Sequence, residues 1–289
     1  MQLTTVKSPW FFVIVSGEVK IMIKMVALDL DGTLLTSDKQ ISPRNEQALK
    51  ALHQQGVKIV LCTGRPINAI WKYIEQLGLT NDDDYTITFN GALVIQNTEK
   101  TVLSQKGISK QKLQLLHDFA QTNGLPLDIL DFEAVYPITD LKRSVYQQML
   151  NAKIDFVPTD FDQLDADDYS KAVMATEPAI LNDAFDRVTD EMFETYHIVR
   201  SQPKILEFLD HDMDKAVGLE ALLNHFGWTF ENLMVFGDAE NDLGMLKSAQ
   251  VGVVMENGKD EIKRQGTDVT GTNDADGVAE FVEKYADFA

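Results

Sequence analysis

The feature that most constrains this chain is the run Met25-Val26-Ala27-Leu28-Asp29-Leu30, broken at once by Asp31-Gly32-Thr33. A near-continuous apolar run of this length reads as a strand buried on both faces of a parallel sheet. Glycine beside a hydroxyl residue then imposes a turn. The pattern repeats. Ser42-Pro43 opens a helix, with a serine cap and proline in the first turn, that stops at Gly56. Val57 to Cys62 is a second buried strand, and Thr63-Gly64-Arg65-Pro66 is its loop. A helix with Ile67, Ile70, Ile74 and Leu77 on one face follows and ends at Gly78. Thr86-Ile87-Thr88-Phe89, closed by Asn90-Gly91, is a third short strand. Strands alternating with helices in this way imply a parallel α/β sheet with right-handed crossovers.

From about residue 100 the rhythm changes. A helix is expected from Ser109 to Thr122, then acidic loops and a strand over Tyr169 to Thr176. A further helix spans Asn182 to Tyr196 with Phe185, Val188 and Met192 inward. A strand pair follows at residues 197–200 and 205–209. This stretch reads as an inserted α+β module. The α/β rhythm then returns: a helix from Lys215, a strand to Phe236, a helix from Asn241, a strand over Val251 to Met255 and a final helix from Gly277. The expected organisation is a sheet domain built from residues 22–103 and 201–289, interrupted by a module over 104–200.

Residues 1–21 stand apart. The apolar run from Trp10 to Val15 is too short to span a bilayer and lacks the flanks of a signal peptide. The expectation is that translation begins near Met22 and that residues 1–21 are a non-native extension. An extra edge strand or a membrane-associating tail is the alternative.

A net charge of −19 and the lack of a Lys/Arg cluster exclude nucleic acid as a partner. A small anionic substrate stays compatible, because a metal ion and two or three basic groups can reverse the field inside a cleft. The lone Cys62 excludes an internal disulfide framework and fits a reducing cytoplasm.

Asp29 and Asp31, two apart at a strand end, leave on the same side of the pleat. They sit at the carboxyl edge of the sheet, where open α/β folds bind ligands. Carboxylates this close repel unless a cation neutralises them, and Mg²⁺ suits an all-oxygen site. A carboxylate can also attack phosphorus. Gly237-Asp238-Ala239-Glu240-Asn241-Asp242 repeats the logic after another buried strand. Asp238 can complete the metal site, and Asp242 can bind a metal water or orient Asn241. Simple helix-start preference is the other reading of Asn241 and Asp242. Thr63 and Gly64 offer a hydroxyl and backbone N–H groups as a phosphate seat, to which Arg65 could add a charged fork. Lys215 could neutralise a phosphoryl group. Cys62 has no paired histidine and reads as packing.

In this order, Asp29/Asp31, Thr63, Lys215 and Gly237 to Asp242 resemble the haloacid dehalogenase superfamily, in its Cof-type sugar-phosphatase branch. Thr63-Gly64-Arg65-Pro66, Phe89-Asn90-Gly91-Ala92 and Asp276-Gly277-Val278-Ala279 extend the resemblance over about Met22 to the C-terminus. The resemblance implies a Rossmann-like parallel-sheet core with an inserted α+β cap domain of the C2 type. It implies a Mg²⁺-dependent phosphatase for small phosphorylated metabolites, sugar phosphates first. Asp29 would be the nucleophile and Asp31 the acid/base. Asp29, Asp31, Asp238 and Asp242 would form the metal site, Asp31 through its backbone carbonyl. Thr63, Gly64, Arg65, Asn90, Lys215 and Asn241 would hold phosphate, with Thr63 and Lys215 also catalytic. The cap would cover the site. Two residues depart from the branch: Ala216 after the lysine, where glycine is usual, and Gly258 after Asn257, where alanine is usual. A phosphomutase and a non-catalytic binding protein are the competing readings.

Overall fold

The computed structural model describes residues 11–15, 19–150 and 154–285. It divides into two compact units, Met1–Gln105 with Asp214–Ala289, and Lys106–Met213.

The first unit is built on a five-stranded parallel sheet. Its order is Asp268–Thr270, Val251–Met255, Leu233–Gly237, Met25–Leu28, Lys58–Leu61. Both faces are covered. On one, Val26, Leu28, Leu61 and Phe236 pack against Leu49, Leu52, Ile74 and Phe281 from three helices. On the other, Ala27, Val60 and Val235 meet Leu219, Leu222 and Leu246. That is why the strands read as unbroken apolar runs. The chain leaves Met25–Leu28 toward one side of the sheet and returns on the other, so the strand order reverses at this strand. Such a reversal opens a crevice at the carboxyl ends. Leu28 pairs with Leu61 on one side and Phe236 on the other. The register therefore delivers Asp29, Thr63 and Asp238 to one edge.

The strand expected third in the parallel sheet meets it only at one parallel bridge and pairs chiefly in a small antiparallel sheet. Tyr85–Thr88 pairs antiparallel with Leu93–Gln96, which pairs antiparallel with Val102–Gln105. A parallel bridge between Cys62 and Ile87 ties this small sheet to the large one. The cause is the turn after Thr88. Phe89, Asn90 and Gly91 all adopt positive φ (51°, 55° and 102°) and fold the chain back on itself.

The second unit carries a six-stranded mixed sheet and a helical layer. Leu113 and Leu116 of Lys110–Asn123, Leu181 of Pro178–Phe185 and Met192 of Asp190–Thr195 pack on Ala172, Met174 and Phe208 of the sheet. Two expectations need correction. The unit runs past residue 200 to Met213, because Tyr196–Gln202 and Ile205–Asp210 form a hairpin whose second strand pairs with Lys171–Ala175. The single helix expected over 182–196 is two. The Thr189 hydroxyl accepts the Met192 N–H at 3.3 Å and starts a new helix after the first has closed. As a result Phe185 is 42% exposed, not inward, and lies edge-on to Phe193.

Phe11–Val15 pairs antiparallel with Val19–Ile23, so part of the N-terminal segment is a strand pair. The expectation for residues 1–10 lies outside the described residues. Among the described residues no helix is long and apolar enough to cross a membrane.

Asp128, on a central strand of the second sheet, is 1% exposed, and its Oδ2 has no hydrogen-bond partner. Burial pushes its carboxyl up to about 6, offset only in part by Ser144. The folded-state value lies above the unfolded one. The stabilisation this gives is complete below the unfolded value and is lost as pH rises through about 6. Asp128→Asn should therefore stabilise the chain at about pH 8, by on the order of 2 kcal/mol, and much less at about pH 5. Urea unfolding at the two pH values checks this, and equal shifts at both would contradict it.

Candidate active site

At the carboxyl edge the Asp29 N–H donates to the Phe236 carbonyl at 3.1 Å, which locks the end of one strand to the next. Gly32 follows with φ +84°, and a Cβ there would stand 2.4 Å from a carboxylate oxygen of Asp238. Glycine is thus what admits Asp238. The Thr33 hydroxyl donates to Asp238 Oδ1 at 3.0 Å and holds it there. The Gly-Thr pair after Asp31 seats a carboxylate from more than two hundred residues further along the chain. Gly258 serves the same loop from the other side: a Cβ on it would lie 2.9 Å from the Asp238 carbonyl. This departure permits close packing.

Lys215 is placed by its own helix. Asp214 caps Lys215–His225 by accepting the N–H groups of Ala216 (2.7 Å) and Val217 (3.2 Å). Lys215 therefore sits at the first helical position, and its side chain is fully buried. Its ammonium donates to Asp29 Oδ1 and, at 2.6 Å, to Asp242 Oδ1. Asp242 Oδ2 accepts the N–H groups of Asp238 (2.9 Å) and Ala239 (3.0 Å).

The electrostatics follow from burial. Desolvation pushes the Asp29 carboxyl up to about 7; Lys215 works against this, while Asp242 and Asp238 add to it. Burial also raises Asp238, with the Thr33 bond opposing. For Lys215 burial favours the neutral amine, but Asp29 and Asp242 outweigh it and hold the ammonium above its ordinary range. Asp29, Asp238 and Asp242 offer carboxylate oxygens that all lie within 4.8 Å of one another. With these three ionised, one ammonium leaves two negative charges uncompensated, which is the charge of one divalent cation. The donors are hard oxygens without nitrogen or sulfur, so the residues fit Mg²⁺.

The Asp31 side chain points to other partners. It accepts Arg65 Nε at 2.7 Å and Arg65 Nη2, and Lys39 Nζ at 2.7 Å. Burial tends to raise Asp31, but Arg65 and then Lys39 prevail and hold it below the ordinary carboxylate range. The guanidinium fork expected on phosphate is thus committed to Asp31. Lys39 was not singled out from the sequence. It lies in a left-handed turn (φ 58°) whose carbonyl accepts the Tyr73 hydroxyl at 2.9 Å, and no spacing rule marks it.

Thr63 is almost fully buried, and its hydroxyl accepts the Arg65 N–H at 3.2 Å, closing the turn. The Asn90 N–H donates to the Thr63 carbonyl at 3.0 Å, and its side-chain amide lies against Gly64. Asn241 Nδ2 reaches Asn90 Oδ1 at 3.4 Å. Thr63, Gly64, Asn90 and Asn241 therefore form one neighbourhood. Asn257 was missed as a site residue: its Nδ2 donates to the Gly32 carbonyl at 2.7 Å and braces the turn that admits Asp238. Burial pushes the Cys62 thiol far up, and it remains a packing residue.

A family model described as haloacid dehalogenase-like hydrolase matches residues 26–282. A Bacillus subtilis 5-amino-6-(5-phospho-D-ribitylamino)uracil phosphatase is 31% identical, over 90% of this chain and 97% of its own length. An Escherichia coli pyridoxal phosphate phosphatase is 28% identical over 91% and 98%. The crystal structure of a haloacid dehalogenase-like hydrolase from Bacteroides thetaiotaomicron superposes with a TM-score of 0.74 at 30% identity, over 91% of this chain and 99% of that one.

Gly32→Ala tests the seat of Asp238. The new methyl meets the carboxylate at 2.4 Å on a backbone with φ +84°. The variant should lose roughly 1–3 kcal/mol in urea unfolding and bind Mg²⁺ at least about tenfold more weakly by calorimetry. Unchanged Mg²⁺ affinity would mean that the turn does not seat Asp238.

Proposed function

The chain belongs to the haloacid dehalogenase-like hydrolases, in their Cof-type branch, and is a phosphoric monoester hydrolase; from that premise we propose that it releases phosphate from small phosphorylated metabolites through an aspartyl phosphate on Asp29, with Mg²⁺ as cofactor. The observation that carries this reading is the contact of Asp29 with the fully buried Lys215, beside Asp238 at the same sheet edge.

Asp29 Oδ attacks phosphorus while the bond from phosphorus to the leaving oxygen breaks. Asp31 gives that oxygen its proton. A water then attacks the aspartyl phosphate, Asp31 takes the water's proton, and the bond from phosphorus to Asp29 breaks to free inorganic phosphate. Lys215 favours the ionised form of Asp29 against the effect of burial and presents positive charge to the transferring group. Asp29 and Asp238, with the Asp31 carbonyl, would hold Mg²⁺, which when bound supplies charge neutralisation at the phosphoryl oxygens. Thr63, Gly64, Asn90 and Asn241 supply hydroxyl, backbone and amide donors for those oxygens. Arg65 and Lys39 hold Asp31. Its partners must release it and it must take up a proton from solvent before it can donate one to the leaving oxygen; the proton it later takes from the water restores it for the next turnover.

Sugar and sugar-alcohol phosphates are the substrate class we favour. The relative named for a phosphoribityl substrate supports this, and the one named for pyridoxal phosphate widens it. A cytoplasmic setting belongs to the same reading and is supported by a single, buried, unbridged cysteine.

Phosphate release from a panel of sugar phosphates, nucleotides and pyridoxal phosphate, with Mg²⁺ and with EDTA, tests the proposal. We expect release that needs Mg²⁺ and falls by about 10³-fold or more in Asp29→Asn, which keeps the shape and removes the nucleophile. Near-normal activity in that variant would exclude the aspartyl phosphate. Release from no substrate until a bisphosphate is added would indicate a mutase.

A further inference from the structure

The helix Lys215–His225 brings Lys215 to the active-site edge, and its last residue, His225, stands at a cavity of about 440 Å³ that lies wholly within the first unit. Eleven helical residues put the two ends roughly 15 Å apart. We propose that this cavity is a binding site for a small organic cation, an ammonium carried on a flat apolar body. The site is separate from the phosphate site, and its existence does not depend on the phosphatase reading.

The lining combines what such a ligand needs. Tyr85, which opens the strand Tyr85–Thr88, and His225 supply rings, Val102 and Leu103 of Val102–Gln105 supply apolar surface, and Asp82 and Glu99 supply carboxylates. The volume falls in the range of small-molecule sites, about 300–1,000 Å³. The lining is also held in place without a ligand. Gln96 is buried, and its amide ties together the two turns that carry the acids: Nε2 donates to the Asp82 carbonyl at 2.9 Å, and Oε1 accepts the Glu99 N–H at 2.6 Å. The Tyr85 hydroxyl and His225 Nε2 are hydrogen-bonded at 3.2 Å, and the two rings meet edge to face with centroids 5.3 Å apart. Phe226 backs Tyr85 at 5.9 Å. A lining fixed in advance spares a ligand part of the ordering cost of binding.

The charge of the cavity selects a cation. Asp82 and Glu99 are exposed, and neither side chain is in an ion pair or a hydrogen bond among the described residues. No Lys or Arg among the described residues lines the cavity. Nearby lysines are turned to other partners: Lys58 Nζ donates to Asp83 and lies 5.7 Å from the Phe226 ring centroid, and Lys100 Nζ lies 5.4 Å from that of Trp71. The carboxyl end of Lys215–His225 adds the partial negative charge of a helix terminus, and aromatic faces attract cations. A phosphate ester is repelled by the same charges. Two exposed acids alone would need no explanation in a chain of net charge −19. What marks these is the apolar surface beside them, with Val102 left 48% exposed. A metal ion would neutralise the acids and leave that surface wet, whereas an ammonium on a flat apolar body covers both.

The test titrates the full chain with tryptamine, with its neutral isostere tryptophol and with the anion indoleacetate, and reads backbone amide signals by NMR. Excess Mg²⁺ is present throughout, to compete for the acidic cluster at Asp29. Tryptamine should shift the signals of Tyr85, Gln96, Glu99 and His225 saturably, with a Kd on the order of 1 mM. Tryptophol should bind about tenfold more weakly, and indoleacetate should leave these signals unmoved. The double variant Asp82→Asn/Glu99→Gln should weaken tryptamine by about tenfold, with its remaining spectrum matching wild type. Both side chains are exposed, so the variant keeps the fold. Tryptamine and tryptophol binding alike would overturn the proposal, as would no saturable shift, shifts confined to the surroundings of Asp29, or a double variant that binds tryptamine as wild type does. The spectra decide this whether or not the chain releases phosphate, so failure here and failure of the phosphatase reading are told apart.

Discussion

The fully buried ammonium of Lys215, held between Asp29 and Asp242, is the interaction on which the rest of this structure depends. Charges removed from water are tolerated only when paired and hydrogen-bonded, and breaking one such pair commonly costs about 3–5 kcal/mol. Each element around the cluster serves that pairing. Asp214 caps the helix that presents Lys215, the parallel register brings Asp29 and Asp238 to one edge, and two backbone N–H groups fix Asp242. Burial raises the Asp29 carboxyl, Lys215 offsets this only in part, and the charges of Asp242 and Asp238 add to the rise. On the proposed mechanism, a cation at this edge would favour the ionised form of Asp29 that attacks phosphorus.

Much of this was legible in the chain. Buried strands declare themselves as unbroken apolar runs, and glycine or proline punctuation sets their ends. Leu28-Asp29 and Phe236-Gly237-Asp238 could therefore be placed at one sheet edge without coordinates. The helix before Gly56 begins after its Ser42 cap, and the helix expected from Lys215 begins there.

What escaped the sequence depends on contacts distant along the chain or on single turns. Tyr85–Thr88 keeps a parallel bridge to the large sheet at Cys62 and Ile87, but the three positive-φ residues after it fold the chain back so that its main pairing is antiparallel, with Leu93–Gln96. Thr189 splits a helix that periodicity runs together, because a local cap outweighs a continuing apolar face. The strand pair after Tyr196 belongs to the second unit through its pairing with Lys171–Ala175, which no pattern within the hairpin reveals. At the site, Arg65 and Lys39 converge on Asp31 through a turn with no spacing signature. Asn257 reaches Gly32 across 225 residues of chain.

The account's central claim is that Asp29 carries the phosphoryl group during turnover. Acid-quenching the full chain while it hydrolyses a phosphate ester, followed by peptide mass spectrometry, reads this directly. The account predicts a phosphorylated peptide with the modification on Asp29. Phosphate on any other residue, or no phosphorylated peptide at any quench time while phosphate release continues, would contradict it.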